Sequence, residues 1–144
     1  MPFPSQPILV VDDSEDDYEA MVGAFKKVGL NCPVVWCRSG QDALDSLKRA
    51  CAQEKPGNDS PGLVLLDLNM PGLDGRKTLQ QIKEDTKLKR IPVIVLTTSA
   101  DERDVKDCYQ LGANTYVQKP PNLDGLIEAV GALKAYWFEV AVLC

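Results

Sequence analysis

Residues 63–75 read Leu63-Val64-Leu65-Leu66-Asp67-Leu68-Asn69-Met70-Pro71-Gly72-Leu73-Asp74-Gly75: an unbroken apolar run, one acid, then a Pro/Gly turn. A short apolar run with no polar alternation suits a strand covered by helices on both faces, since neither face meets water. Asp67 is then the first charged group to leave the core at the strand's carboxyl end. A Pro71/Gly72/Gly75 turn leads to a helix predicted from about Arg76 to Asp85.

The same order repeats outward in both directions. Upstream, Pro7-Ile8-Leu9-Val10-Val11 is an apolar run ending in Asp12-Asp13. Ser14 opens a helix, with Asp17 three residues on in a capping-box-like arrangement and Met21, Val22 and Phe25 at helical spacing as far as Gly29. A strand over Pro33–Cys37 precedes Ser39 and a helix carrying Ala43, Leu44 and Leu47. Gln53–Gly62, with two Pro, two Gly and no apolar period, reads as a surface loop. Downstream come a strand over Val93–Leu96, a helix over Asp101–Leu111 closed by Gly112, and a short strand over Thr115–Val117. A last helix starts near Leu123 and carries Leu126, Ile127, Val130, Leu133 and Trp137. Strands alternating with helices in this way predict an α/β fold with a doubly wound five-stranded parallel sheet and five helices on its two faces.

Composition narrows the function. At 144 residues the chain fits one domain that needs neither disulfide nor metal to fold. A net charge of −5 and a pI near 4.7 argue against nucleic acid as partner, because phosphate backbones are held by clustered Lys and Arg. The amino terminus has neither the basic start nor the apolar run of a signal peptide, and no stretch approaches the ~20 apolar residues of a membrane span, so a cytoplasmic location is expected. Cys32, Cys37, Cys51, Cys108 and Cys144 are odd in number, lack a Cys-x-x-Cys pair and read as reduced thiols. There is no histidine, so Ser-His and Cys-His chemistry is excluded and any histidine must come from a partner.

In open parallel sheets ligands bind beyond the carboxyl ends of the strands. The first strand ends in Asp12-Asp13, the third in Asp67, the fourth in Thr97-Thr98, and the fifth runs into Gln118-Lys119-Pro120. Singly, these could be helix-start acids, a turn former and a solvated lysine. Jointly they bring three carboxylates, a hydroxyl and an ammonium to one crevice. Two carboxylates ~4 Å apart repel by about 4 kcal/mol at an effective dielectric near 20, which a hard divalent ion such as Mg²⁺ offsets. A nucleophilic carboxylate, a metal, a lysine and a hydroxyl together suit phosphoryl transfer.

Val11-Asp12-Asp13, the stretch Leu66 to Gly75, Thr97-Thr98-Ser99 and Lys119-Pro120 resemble the receiver domain of two-component response regulators over roughly residues 7–135, with spacings of 30 and 22 residues between Asp67, Thr97 and Lys119. The end of the last helix, Tyr136-Trp137-Phe138-Glu139, and the Thr97-Thr98-Ser99 run are similar more narrowly to the small regulators paired with bacterial and cyanobacterial phytochrome kinases.

The resemblance implies a flavodoxin-like strand order 2-1-3-4-5, with Asp67 as phosphoacceptor. It implies Mg²⁺ held directly by Asp13 and Asp67, by Asp12 directly or through water, and by the main-chain carbonyl of Asn69. Lys119 would pair with Asp67 and then with phosphoryl oxygens, Thr97 would swing toward the phosphoryl group, and Tyr116 would turn inward behind it. Lys119–Pro120 would be a cis peptide, as is common in the family. Thr98 departs from the small residue usual beside the phosphoryl pocket and bears on dephosphorylation; Pro121 is a second departure. The donor would be a sensor histidine kinase, a bacteriophytochrome being one candidate, or a phosphotransfer protein.

On this reading the chain is a phosphoacceptor switch that catalyses only its own phosphorylation and dephosphorylation, and no DNA-binding output segment is expected after the domain. Its parts are a tail (1–6), the receiver (7–135) and an apolar extension (136–144). A haloacid-dehalogenase-type phosphatase would want an acid two residues after its nucleophile, where Asn69 stands. A pseudo-receiver adaptor is disfavoured by the intact chemical positions, a flavodoxin-like FMN carrier by the acids at the first strand. After Leu126, Ile127, Val130, Leu133 and Trp137 face the sheet, Tyr136, Phe138, Val140, Val142 and Leu143 are left over, which predicts a homodimer through the final helix and tail.

Overall fold

Five strands alternate with five helices: β1 (Ile8–Val11), α1 (Glu15–Lys27), β2 (Val34–Cys37), α2 (Gly40–Ala52), β3 (Leu63–Leu66), α3 (Gly75–Glu84), β4 (Val93–Thr97), α4 (Glu102–Gln110), β5 (Thr115–Gln118) and α5 (Leu123–Lys134). A π-helical segment, Ala135–Val140, continues α5. The computed structural model describes residues 6–52, 61–69 and 74–140. Most of the predicted Gln53–Gly62 loop, and Pro71 and Gly72 of the predicted turn, lie outside the described residues.

All strand pairings are parallel and the order is β2-β1-β3-β4-β5, the flavodoxin-like doubly wound arrangement. The three central strands are buried along their length and apolar except for Thr97 at the end of β4, because both faces are covered. Leu9, Val11, Val64, Leu66, Val93 and Val95 pack with Ala43, Leu44, Leu47, Leu79, Ile82 and Cys108 of α2, α3 and α4. The alternate residues Ile8, Val10, Leu63, Leu65, Ile94 and Leu96 pack with Met21, Ala24 and Phe25 of α1 and Leu126 and Val130 of α5. Each of the Val, Leu, Ile, Met and Phe side chains contributes about 1.5–3 kcal/mol on burial, so the strand ends are held by a well-packed part of the molecule. Asp67 continues the same ladder: its N–H donates to the Val11 carbonyl at 3.0 Å.

Differences from the sequence reading are local. Gly75 is the first residue of α3, not part of the preceding turn, because Asp74 caps the helix by accepting from the Arg76 N–H. β4 and β5 each run one residue further than predicted, since Thr97 pairs with Gln118. The Lys119–Pro120 peptide is trans, not cis. The capping box at α1 is half formed. Ser14 Oγ accepts from the Asp17 N–H at 3.2 Å, whereas the Ser14 N–H donates to Asp12 Oδ1 at 3.0 Å, leaving the Asp17 carboxylate free for another partner.

At the carboxyl terminus, Trp137 and Phe138 are both buried in the core on the α1/α5 face. The wider turns of the π-helix let these adjacent rings reach the same core. Phe138 is therefore not part of a left-over patch, whereas Tyr136 is 54% exposed. Val142 and Leu143 lie outside the described residues, as does the side chain of Val140.

Candidate functional site

The chain's order of strands reverses direction beside β1, so the crevice between the carboxyl ends of β1 and β3 is the topological switch point where doubly wound sheets bind ligands. Asp12 and Asp13 leave β1 there and Asp67 leaves β3. One carboxylate oxygen from each lies within 4.8 Å of the others. Asp12 is buried, Asp67 half-buried and Asp13 exposed, which makes the cluster a pocket with one wet side.

Lys119 enters from the end of β5. Its ammonium lies 3.0 Å from Asp12, 3.2 Å from Asp17 and 3.8 Å from Asp67. The expected pairing with Asp67 is thus the longest of three. The sequence reads Asp17 only as a capping partner of Ser14 and not as a site residue, although its place four residues after Asp13 could have suggested it. Burial pushes the Asp12 carboxyl above the ordinary carboxylate range, against the opposing pull of the Ser14 N–H and Lys119. Burial alone would lower the Lys119 ammonium, but Asp12 and Asp67 more than offset it and hold Lys119 above its usual value.

Three clustered carboxylates against one ammonium leave the site negative. At an effective dielectric near 20, each pair about 5 Å apart costs roughly 3 kcal/mol. An all-oxygen donor set with this charge fits a hard divalent cation such as Mg²⁺.

The sequence profile of the response regulator receiver domain matches residues 8–131. The chain belongs to that family. The receiver is similar to the response regulator Rcp1 of Synechocystis sp., with 38% identity over 140 residues covering 97% of this chain and 94% of Rcp1. It is equally similar to a probable methanogenesis regulatory protein, FilR2, of Methanothrix harundinacea, at 38% identity over 130 residues covering 90% and 82%. The crystal structure of the phosphorylated cyanobacterial phytochrome response regulator RcpA superposes with a TM-score of 0.85 at 36% identity, covering 96% of this chain and 97% of that one. Rcp1 has been solved in a Mn²⁺-bound form, with a TM-score of 0.82, covering 96% of this chain and 99% of that one. The protein is accordingly a response regulator receiver, a signalling switch with phytochrome-associated homologues.

The remaining receiver positions surround the acids. Asp67 Oδ1 accepts from the Asn69 N–H at 3.2 Å, and the Asn69 side-chain amide donates to Thr97 Oγ1 at 3.3 Å. The buried Thr97 hydroxyl is thereby tied to the loop that follows Asp67. Thr98 is exposed, and its carbonyl accepts from Gln118 Nε2 at 3.4 Å. The half-buried Tyr116 donates its hydroxyl to the Ser99 carbonyl at 2.8 Å, while Ser99 Oγ donates to Asp104 at 2.7 Å. Asp104 also pairs with Arg76 of α3, and these two contacts, Ser99 first, hold its carboxyl below the usual range. The loop carrying Thr97, Thr98 and Ser99 is thus attached to α3, α4 and β5.

Gly75 is where α3 meets the receiver's central acid. A Cβ there would lie 2.5 Å from the Asp67 carbonyl oxygen and 2.5 Å from Leu68 Cα, both main-chain atoms that cannot swing aside. Gly75→Ala is expected to cost about 1–3 kcal/mol, lowering the melting temperature by roughly 4–10 °C, by forcing the helix away from the Asp67–Leu68 main chain. Thermal denaturation checks this, and an unchanged midpoint would contradict the close approach.

Proposed function

We propose that the receiver accepts a phosphoryl group on Asp67 from a phosphohistidine of a sensor histidine kinase or a phosphotransfer protein. The observation that carries this is the convergence of Asp12, Asp13 and Asp67 within 4.8 Å, with the Lys119 ammonium 3.8 Å from Asp67. A carboxylate oxygen of Asp67 attacks phosphorus, the P–N bond to the donor imidazole breaks, and the imidazole leaves and takes up a proton. Asp12, Asp13, Asp67 and the Asn69 main-chain carbonyl would hold Mg²⁺, which supplies positive charge among the acids and phosphoryl oxygens. Lys119 exchanges part of its contact with Asp12 and Asp17 for phosphoryl oxygens. Thr97 releases the Asn69 amide and donates its hydroxyl to the phosphoryl group, and Tyr116 follows the loop inward.

The acyl phosphate carries about two negative charges where the carboxylate carried one, and adds phosphoryl oxygens that accept hydrogen bonds, which holds the loop in its new position. On this reading the chain catalyses only its own phosphorylation and dephosphorylation. An aspartyl phosphatase is disfavoured because Asn69, at the position a general acid would need, spends its amide on Thr97. A phytochrome kinase as donor is supported by the likeness to Rcp1 and RcpA. A cytoplasmic site of action fits such a donor, and no described helix is long and apolar enough to cross a membrane. The test is incubation with acetyl phosphate and Mg²⁺. Incorporation of one phosphoryl group that hydroxylamine removes, as it does acyl phosphates, supports the proposal; an acid-stable label or none contradicts it.

We further propose a homodimer through the final helix and tail, to which Tyr136, 54% exposed, contributes an apolar ring. Trp137 and Phe138 belong to the core, so truncation at Ala135 would unsettle the fold as well. Tyr136→Arg is the cleaner variant. Sedimentation of the full chain at high micromolar concentration should show dimers that this substitution weakens, and a full-length monomer, phosphorylated or not, would remove the idea.

A further inference from the structure

Trp36, in the edge strand β2, stands outside the set of receiver positions described so far, yet it touches the metal-binding loop directly. Its indole N–H donates to the main-chain carbonyl of Asp12 at 2.8 Å. The other side of the same residue is held by the same strand, since the Asp12 N–H donates to the Cys37 carbonyl at 3.0 Å. β2 therefore grips the Asp12 main chain at both its donor and its acceptor, and Asp13 follows immediately.

The indole is itself fixed. The Tyr18 ring of α1 stacks on it with centroids 4.3 Å apart and planes 3° from parallel. The Arg38 guanidinium lies over it at 4.5 Å. A stacked pair and a cation over an aromatic face are each attractive, so the N–H is aimed rather than free to swing. Tyr18 stands one residue after Asp17, so one ring joins β2, the first turns of α1 and the acidic loop between β1 and α1. The order of contacts is Arg38 and Tyr18 on Trp36, Trp36 on the Asp12 carbonyl, and the Asp12 and Asp13 carboxylates on the cation site.

From this arrangement we infer that Trp36 is a positioning residue for the divalent cation: it presets the β1–α1 loop so that Asp12 and Asp13 converge with Asp67 before the ion arrives. Groups behind metal ligands fix their orientation and thereby raise affinity. Here the anchoring donor acts on the main chain of a ligand-bearing loop. The inference rests on the cation reading above, and its test reads cation binding rather than phosphorylation.

Trp36→Phe keeps an aromatic ring for Tyr18 and Arg38 and deletes the donor together with the second ring of the indole, so urea denaturation separates lost packing from lost cation binding. Mn²⁺ affinity is measured by water-proton relaxation on the full chain, alongside urea denaturation without metal. Loss of one neutral hydrogen bond to the loop should weaken Mn²⁺ binding roughly three- to tenfold. Equal Mn²⁺ affinity in wild type and variant would overturn the inference alone. Wild-type protein that binds no Mn²⁺ would overturn the cation reading with it. A second measurement covers a variant that fails to fold. In ¹⁵N-labelled wild type, the Trp36 indole N–H resonance should shift saturably with Mg²⁺, at the midpoint seen for the Asp12 and Asp13 amides. A Trp36 indole signal unmoved by saturating Mg²⁺ would overturn the inference as well. Trp137, the chain's other tryptophan, provides the reference signal.

Discussion

Asp67→Asn is expected to abolish acyl-phosphate formation completely while leaving the receiver folded. The amide nitrogen's lone pair is delocalised and its carbonyl oxygen is a poor nucleophile, so no group at position 67 can attack phosphorus. The fold should survive because the hydrogen bond that the Asp67 side chain accepts from the Asn69 N–H, at 3.2 Å, is open to an asparagine oxygen too. Removing one of three mutually repelling carboxylates should even stabilise the metal-free protein. A gain of about 1 kcal/mol corresponds to roughly 3–5 °C in melting temperature for a domain of this size. The paired measurement is intact-mass spectrometry after acetyl phosphate, with thermal denaturation of the same samples. Stoichiometric labelling of the folded variant would sink the assignment of Asp67.

The second large effect is that of chelation. In EDTA, phosphorylation by acetyl phosphate should slow by at least on the order of a hundredfold, since several kcal/mol of charge stabilisation is withdrawn from the transferring oxygens. The residual site is the one seen in the structure: three acids against Lys119, with Asp12 and Asp17 closer to the ammonium than Asp67 is. Such a site repels a phosphorylated donor. Asp13→Ala should lower Mg²⁺ affinity at least about tenfold by titration calorimetry, with little effect on stability, because Asp13 is exposed and its carboxylate serves the cluster rather than the core. Equal labelling rates with EDTA and with Mg²⁺ would contradict this.

The parts of the fold that were legible in the sequence are those with a strong one-dimensional signature. Buried parallel strands are continuous apolar runs, and Ile8–Val11, Leu63–Leu66 and Val93–Leu96 are buried along their whole length. Because the crevice sits at the carboxyl ends of those strands, the acids at 12, 13 and 67 were readable with them. What could not be read is geometry across long sequence separations. That Lys119 rests on Asp12 and Asp17 depends on how α1 sits beside the end of β5, 102 residues away for Asp17. The Trp36 donor to Asp12 is set by the pairing of β1 with β2, in which Val10 stands opposite Trp36. Gly75 was readable as a glycine but not as a contact, since only packing shows that α3 begins against the Asp67 carbonyl. Phe138 differs from its sequence expectation because an α-helical period leaves it off the core face, whereas the π-helical turn Ala135–Val140 brings it in beside Trp137.

The most direct test of the account is the position of the phosphoryl group itself. Borohydride reduces an aspartyl phosphate to homoserine, leaving a permanent mark at the modified residue that tandem mass spectrometry can locate. After phosphorylation in Mg²⁺ and reduction, the mark should map to residue 67 alone, and should vanish when EDTA replaces Mg²⁺. Homoserine at 12 or 13, or a phosphorylated protein bearing no homoserine at all, would contradict the account.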